Sequence, residues 1–310
     1  MSKDIAINSI CFIEPGKSYL PELEAYTQFL SNFDIKVSRH TSVEQVPDDA
    51  GVIWIICGKA PTIPKRFKNT PIVVHEYASA SVGRFAFLKD KLKRLLHPKP
   101  TYRIFLNKWV ERQFNFKDKV PSFYRDMGVP DYFFNTEHSE KTYDFIYVGE
   151  TSRLLAFHAE LSALNQAGKS LAIIGSFDKS VEDLVSTLPH VELLGRKKQS
   201  EIPYFLSRAK TGLNLMPTER PYVYQTATKV YEYLAAGLPI LSNSYQWIDD
   251  LASKHNETIV VKKQLDIKES WLQVDSALIN FHPAKNGLEV YSWHAQLNSF
   301  GLFQALKLVP

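Results

Sequence analysis

The sequence predicts an α/β protein made of two parallel-sheet domains, and three observations carry that prediction. Short apolar, β-branched runs alternate with segments of helical spacing along most of the chain. Several of these runs end in Gly, as strand-to-helix turns over a ligand crevice often do. At 310 residues the chain is long enough for two domains of ordinary size.

In chain order, "DIAINSICFI" (4–13), "DIKVSRH" (34–40), "GVIWIIC" (51–57), "PIVVHEY" (71–77) and "YRIFL" (102–106) read as strands. Helical spacing falls at 20–31, 84–96 and 107–113. These elements predict a Rossmann-like domain over 1–140, ending in the polar, aperiodic stretch "NTEHSEKT" (135–142). The second half alternates more cleanly. Its strands are "YDFIYVG" (143–149), "LAIIG" (171–175), "VELLG" (191–195), "TGLNLM" (211–216), "LPILS" (238–242) and "ETIVV" (257–261). Helices are expected at Leu154–Gln166, Ser180–Thr187, Ser200–Arg208, Thr226–Ala236 and Gln246–Ser253. This is a second Rossmann-like domain over 141–290. The tail, 291–310, reads as a helix that packs back on the N-terminal domain.

Composition narrows the function classes. Hydrophobic content of 45% with 23% charged residues describes a globular chain, and no apolar run approaches the roughly 18 residues of a spanning helix. The N-terminus alternates like a strand and lacks a small-residue cleavage site. Cys11 and Cys57, each inside an apolar run, read as reduced core thiols, so a cytoplasmic location is expected. The sequon at Asn256 carries little weight against it. Charge is unevenly placed: twelve Lys/Arg and three Asp/Glu between Arg84 and Arg125 make a +9 segment in a chain of net charge +4.

Absent motifs exclude whole chemistries. There is no G-x-G-x-x-G after a strand and no P-loop, so dinucleotide oxidoreduction and P-loop phosphoryl transfer are not expected. "HEYAS" (75–79) is not H-E-x-x-H, and no D-x-D is present. The nine His show no metal-ligand spacing, so neither metal nor cofactor is expected.

The segment "KVYEYLAAGLPILSN" (229–243) holds the most chemistry. On a helix beginning near Thr226, Ala227, Val230, Tyr231 and Leu234 form an inward stripe, while Lys229 and Glu232 share another face. Thr226 is expected to cap the helix, and Gly237 with Pro239 to end it. A helix N-terminus near Thr226–Thr228 suits phosphate. Glu232, about 9 Å further along the axis at 1.5 Å per residue, would accept hydrogen bonds from ribose hydroxyls. Lys229 would neutralise phosphate charge. The bland alternative is an exposed i, i+3 ion pair.

With "AKTGLNLMPTERP" and "VELLGRKKQSEIPYFLSRA" before it, "TKVYEYLAAGLPIL" resembles the donor-binding domain of GT-B glycosyltransferases, closest to the large retaining group with two glutamates facing the nucleotide-sugar. The resemblance covers roughly 143–260. It implies two Rossmann-like domains facing each other across a cleft. It also implies a metal-independent hexosyltransferase of bacterial surface-polysaccharide or glycoconjugate pathways, in which Glu232 matches the ribose-binding glutamate. Its partners would be a nucleotide-sugar donor and a glycan or lipid-linked acceptor. Where that group carries its first glutamate, eight positions before the second, this chain has Tyr224, and Glu219 stands thirteen before. The sugar and the stereochemical outcome therefore stay open. A nucleotide-sugar 2-epimerase of similar architecture and a non-catalytic basic binding protein are the alternatives.

Other candidates follow from position. Arg153, after "YVGET", sits where the family's first donor-domain loop supplies a phosphate-binding cation, and Gly149 would let the backbone approach the donor. Thr218 and Glu219 lie after a strand, at the edge where α/β ligands bind. Arg196 and Lys197 follow "VELLG" and face either base or solvent. His75 and Glu76 end a strand in the N-terminal half, and either could deprotonate an acceptor hydroxyl, a capped or core-bonded pair being the alternative. "RFAFLKDKLKRLLHPK" places Phe85, Leu88, Leu92, Leu95 and Leu96 on one face and Lys89, Lys93 and Arg94 towards the other. Such a helix lies on the anionic inner face of a cell membrane or packs as a core helix with a solvated face. No nucleic-acid module accompanies it, so nucleic acid is not an expected partner.

Overall fold

Two six-stranded sheets, every strand pairing parallel among the described residues, organise the chain. The computed structural model describes residues 7–14, 16, 20–137, 139–262 and 287–308. The chain divides into two units, Met1–Gly128 with Trp293–Pro310, and Val129–Ser292.

In the first unit the strands are Ser9–Ile13 (β1), Lys36–His40 (β2), Val52–Ile56 (β3), Ile72–Tyr77 (β4), Tyr102–Phe105 (β5) and Ser122–Tyr124 (β6), in the spatial order β2-β1-β3-β4-β5-β6. The order reverses at β1 and β3, a topological switch point. Asp4–Ala6, which the sequence assigns to the first strand, lie outside the described residues. β6 was not expected, because three residues are too few to show alternation. Helix Pro21–Leu30 (α1) starts on a proline with Glu22 and Glu24 in its first turn, both suited to a helix N-terminus. Helices Ala86–Leu96 (α2) and Lys108–Phe114 (α3) follow, the latter capped by Asn107, whose side chain accepts the Val110 N–H. The C-terminal helices Trp293–Asn298 and Gly301–Ala305 complete this unit's core, where Phe303 stacks on Phe29 at 5.3 Å and Phe300 lies 6.3 Å from Trp54. Burying each such ring contributes about 2–3 kcal/mol.

The second unit has strands Tyr143–Val148 (β7), Leu171–Ile174 (β8), Val191–Gly195 (β9), Ala209–Asn214 (β10), Ile240–Asn243 (β11) and Ile259–Lys262 (β12), ordered β12-β11-β10-β7-β8-β9. This order reverses between β7 and β10, so the carboxyl ends of these two strands frame the second switch point. Helices His158–Gln166 (α4), Lys179–Ser186 (α5), Ile202–Ser207 (α6), Thr228–Ala235 (α7) and Gln246–Ala252 (α8) cover the sheet. The start of the helix expected at Leu154 is a 3-10 segment, Thr151–Phe157.

The first boundary falls at Gly128 and not near 140. Val129 and Phe133 are fully buried in the second unit's core, and the Val129 N–H donates to the Tyr291 carbonyl at 2.8 Å. On the other side of the boundary Gly128 lies against Trp293, where an added Cβ would come within 2.6 Å of the indole. Any side chain at 128 would force that contact apart.

Candidate functional site

Helix α7 is apolar on nearly every side. Val230, Tyr231, Tyr233 and Leu234 are all buried, and the Tyr233 hydroxyl accepts the Val148 N–H across the sheet. A helix enclosed in this way leaves its charged residues no surface to lie on. Lys229 and Glu232 are each only 7% exposed. They form no ion pair with each other, so the exposed-pair alternative fails.

The Lys229 ammonium has no hydrogen-bond partner. It rests 3.7 Å from the centroid of the Tyr147 ring, a cation–π contact that partly replaces lost water. Burial, and then the charge of Arg153, hold its pKa well below the ordinary lysine value, with Glu232 opposing. Gly149, directly after β7, has φ of +131°, and a Cβ there would stand 3.9 Å from Lys229 Nζ. The missing side chain thus keeps open the space in front of the ammonium, in a conformation that favours glycine. Arg153, half-buried on the 3-10 segment, points its guanidinium at Tyr222, 4.9 Å from the ring centroid, and at the Met216 sulfur. Gly149, Arg153 and Lys229 therefore converge at the β7/β10 switch point.

Burial pushes the Glu232 carboxyl up to about 7, with Gln199 and Lys229 opposing. Gln199 Nε2 donates to its Oε1 at 3.3 Å. Neither Gln199 nor Tyr147 was singled out from sequence, since both reach the site only through folding. Thr228 is the first helical residue, and the N-cap is Ala227, not Thr226; Ala227 offers no side-chain acceptor. First-turn amides of a helix lack intrahelical partners, so this end stays able to bind an anion. Thr218 and Glu219 lie exposed on the loop after β10, as does Arg196 after β9. Lys197 sits 5.3 Å from the Phe205 ring centroid.

In the first unit, the proposed acceptor bases do not survive the geometry. β4 is covered on both faces, so its alternation buries His75 on one side and Glu76 on the other, at 0% and 1% exposure. The Glu76 carboxylate accepts from Trp54 Nε1 at 2.8 Å, from the Tyr26 hydroxyl, and from both Nε and a terminal nitrogen of Arg125. It is a fully engaged structural anion, not a general base. His75 is a poor base as well: burial, then His97 and Arg103, lower its pKa to about 3. Neither ring nitrogen of His75 has a partner.

Helix α2 departs from the core-helix reading, which needs a buried apolar face. Phe85, Phe87, Leu88, Leu92, Leu95 and Leu96 are all more than half exposed, and only Asp90 is buried. The Asp90 carboxylate accepts the Ser81 N–H and seats the helix by its polar side. Lys89 is exposed, while Lys93 and Arg94 are half-buried beside α3, Arg94 donating to the Asn115 carbonyl. The core-helix alternative is thereby excluded. Beneath α2 lies a cavity of about 740 Å³, lined by Leu20 after β1, by the ends of β3 and β4, and by Lys89, Leu92, Lys93 and Leu96. Sequence spacing shows no metal-ligand cluster, yet Cys57, His75 and His97 bring their donor atoms within 4.8 Å of one another here. No helix among the described residues is long and apolar enough to cross a membrane. Both cysteines are free.

No protein-family model and no curated protein sequence matches the chain. Solved structures do. Anabaena HepE in complex with UDP-glucose superposes with a TM-score of 0.66 at 10% identity, over 97% of this chain and all (100%) of that one. The sucrose-phosphate synthase of Thermosynechococcus elongatus gives 0.65 at 12% identity, over 97% and 99%. AviGT4, a glycosyltransferase involved in avilamycin A biosynthesis, gives 0.62 at 11% identity, over 97% and 95%. With two doubly wound parallel-sheet units spanning nearly its whole length, this chain has the GT-B glycosyltransferase fold.

Proposed function

We propose that this protein is a glycosyltransferase that moves a sugar from a nucleotide-sugar donor to a glycan or lipid-linked acceptor in surface-polysaccharide or glycoconjugate synthesis. One observation carries the proposal: an unpartnered, buried ammonium at a sheet's switch point, beside a glycine that leaves the space before it empty. A buried cation without a partner is costly, and a diphosphate supplies the missing anion. The complex of HepE with UDP-glucose supports this chemistry for the fold.

The donor diphosphate binds between Lys229, Arg153 and the first turn of α7. Glu232, four residues beyond Thr228 and so about 6 Å along the axis, accepts from the ribose hydroxyls. The arriving phosphate charge favours the protonated form of Lys229, opposing the burial that lowers its pKa. As the glycosidic bond breaks, Lys229 and Arg153 stabilise the charge growing on the leaving nucleotide, a task that needs no metal at this site. The α2 surface serves the acceptor side. Six exposed apolar side chains flanked by Lys89, Lys91, Lys93 and Arg94 match an anionic membrane surface in both polarity and charge. The cavity below α2 then opens beside the lipid from which an acceptor is drawn.

A thermal-shift and calorimetric screen of the wild type against nucleoside diphosphates and nucleotide-sugars tests the donor site. At a ligand concentration of 100 Kd, stabilisation of about 2.7 kcal/mol is expected. A chain that binds no nucleotide diphosphate is not a glycosyltransferase of this kind.

A further inference from the structure

We propose that Cys57, His75 and His97 form a binding site for a zinc-class divalent metal ion, with its open coordination position towards the cavity under α2. The three residues come from separate places in the first unit: the residue after β3, the body of β4 and the residue after α2. Their donor atoms lie within 4.8 Å of one another. A tetrahedral zinc ion, with bonds of about 2.0–2.3 Å, needs its ligand atoms about 3.5 Å apart. Side-chain rotation has to close only the last ångström or so.

His75 is the observation that asks for a ligand. It is completely buried, and neither ring nitrogen meets a hydrogen-bonding atom. Buried polar groups are nearly always partnered, and such an exception calls for an ion or water. Metals bind imidazole through the lone pair of an unprotonated ring nitrogen, and His75 has no hydrogen bond occupying either nitrogen. His97 has its outer contact in place: Nδ1 lies 3.0 Å from the Tyr77 hydroxyl. With Nδ1–H donating to that oxygen, Nε2 keeps a free lone pair for the metal, the usual arrangement around a ligating histidine. The third donor, Cys57, is half-buried and unoxidised. On binding, the Cys57 thiol exchanges its proton for the metal–sulfur bond and the proton leaves to solvent, so one positive charge is offset locally. Arg103 and Lys93 oppose a cation here, and Asp118, which holds both terminal nitrogens of Arg103, offsets part of that repulsion.

Glu76, the adjacent carboxylate, cannot supply a fourth ligand because Arg125 engages it. Three protein ligands define the open type of zinc site, in which water or a bound molecule completes the tetrahedron. Cys57 and His97 both line the cavity, so that fourth position faces it. The ion would tie the ends of β3, β4 and α2 together at the cavity floor.

The test uses the full-length, metal-stripped protein and Zn²⁺ alone, independent of any glycosyl transfer. One ion per chain by calorimetry and a raised melting temperature are expected. Co²⁺ should give a thiolate-to-cobalt charge-transfer band and the intense visible bands of tetrahedral coordination. Cys57→Ser should abolish the charge-transfer band, while Cys11→Ser leaves it unchanged. Tyr77→Phe should keep the band yet weaken Zn²⁺ by about 10–100-fold, the usual cost of losing an outer hydrogen bond. His97→Gln, close to the surface, should lose the tetrahedral spectrum with circular dichroism retained. Absence of a stoichiometric ion, or wild-type Zn²⁺ affinity in Cys57→Ser, overturns the proposal.

Discussion

Replacing Glu232 with Gln should make the ligand-free protein more stable at neutral pH and a poorer nucleotide binder. The carboxyl rises from an ordinary 4.5 to about 7 because it is buried. Between those two pH values the folded chain holds a proton that the unfolded chain has released. Folding stability therefore falls as pH rises through that window, and the loss is complete above about 7. At about 1.4 kcal/mol per pH unit the full cost is on the order of 3 kcal/mol. Glutamine does not titrate, so the variant escapes this loss; Lys229, which loses the opposing charge of Glu232, takes back part of the gain. Urea unfolding at pH 4.5 should show the two proteins alike. At pH 8 the variant should be more stable by up to about 3 kcal/mol. Calorimetry with a nucleoside diphosphate should show the opposite order. A charged acceptor contributes roughly 1–2 kcal/mol more than a neutral one, which is about 5- to 30-fold in Kd. Stability gained with affinity lost is the mark of a group held for a ligand. A pH-independent stability difference together with unchanged binding would refute the reasoning and leave Glu232 as a core residue satisfied by Gln199.

Three further outcomes are expected. Lys229→Ala should weaken a nucleoside diphosphate by at least about tenfold while leaving the bare nucleoside nearly unaffected, since the ammonium meets phosphate and not the sugar; equal losses in calorimetry would remove it from the phosphate site. Glu76→Gln should act on folding: breaking the buried pair with Arg125 costs about 3–5 kcal/mol, read as a lower urea midpoint. A stable Glu76→Gln protein with abolished transfer would restore it as a base. Changing Lys89, Lys93 and Arg94 to Glu should release the protein from anionic vesicles at low salt with circular dichroism unchanged; a wild type that binds no such vesicles shows α2 to be an exposed face without a lipid partner.

The local elements were legible because each rests on short-range physics. β8, "LAII", is a short apolar run, while α5 carries its own Asp178 cap. Such patterns need only neighbours in sequence. The candidate donor site was legible for the same reason, since Lys229 and Glu232 lie on one short helix next to a Gly-x-Pro stop. Burial was not legible. An i, i+3 Lys–Glu spacing looks the same on a surface as inside a core, and only the packing of Tyr147 and Tyr233 around α7 separates the two.

His75 and Glu76 show the limit most clearly. Sequence places them at a strand's carboxyl end, a position that suits catalysis as well as structure. Arg125, forty-nine residues away, then takes the carboxylate, while His97 and Cys57 arrive beside the imidazole from other elements. By itself the sequence determined the alternating α/β elements and the Lys–Glu helix, which follow from periodicity over fewer than twenty residues, whereas the place where the chain divides, at Gly128, did not show in it. Only the tertiary structure decided which charges are buried, which apolar face of α2 stays in solvent, and which distant side chains share a cavity. Those outcomes depend on long-range contacts, and residue spacing along the chain carries no information about them.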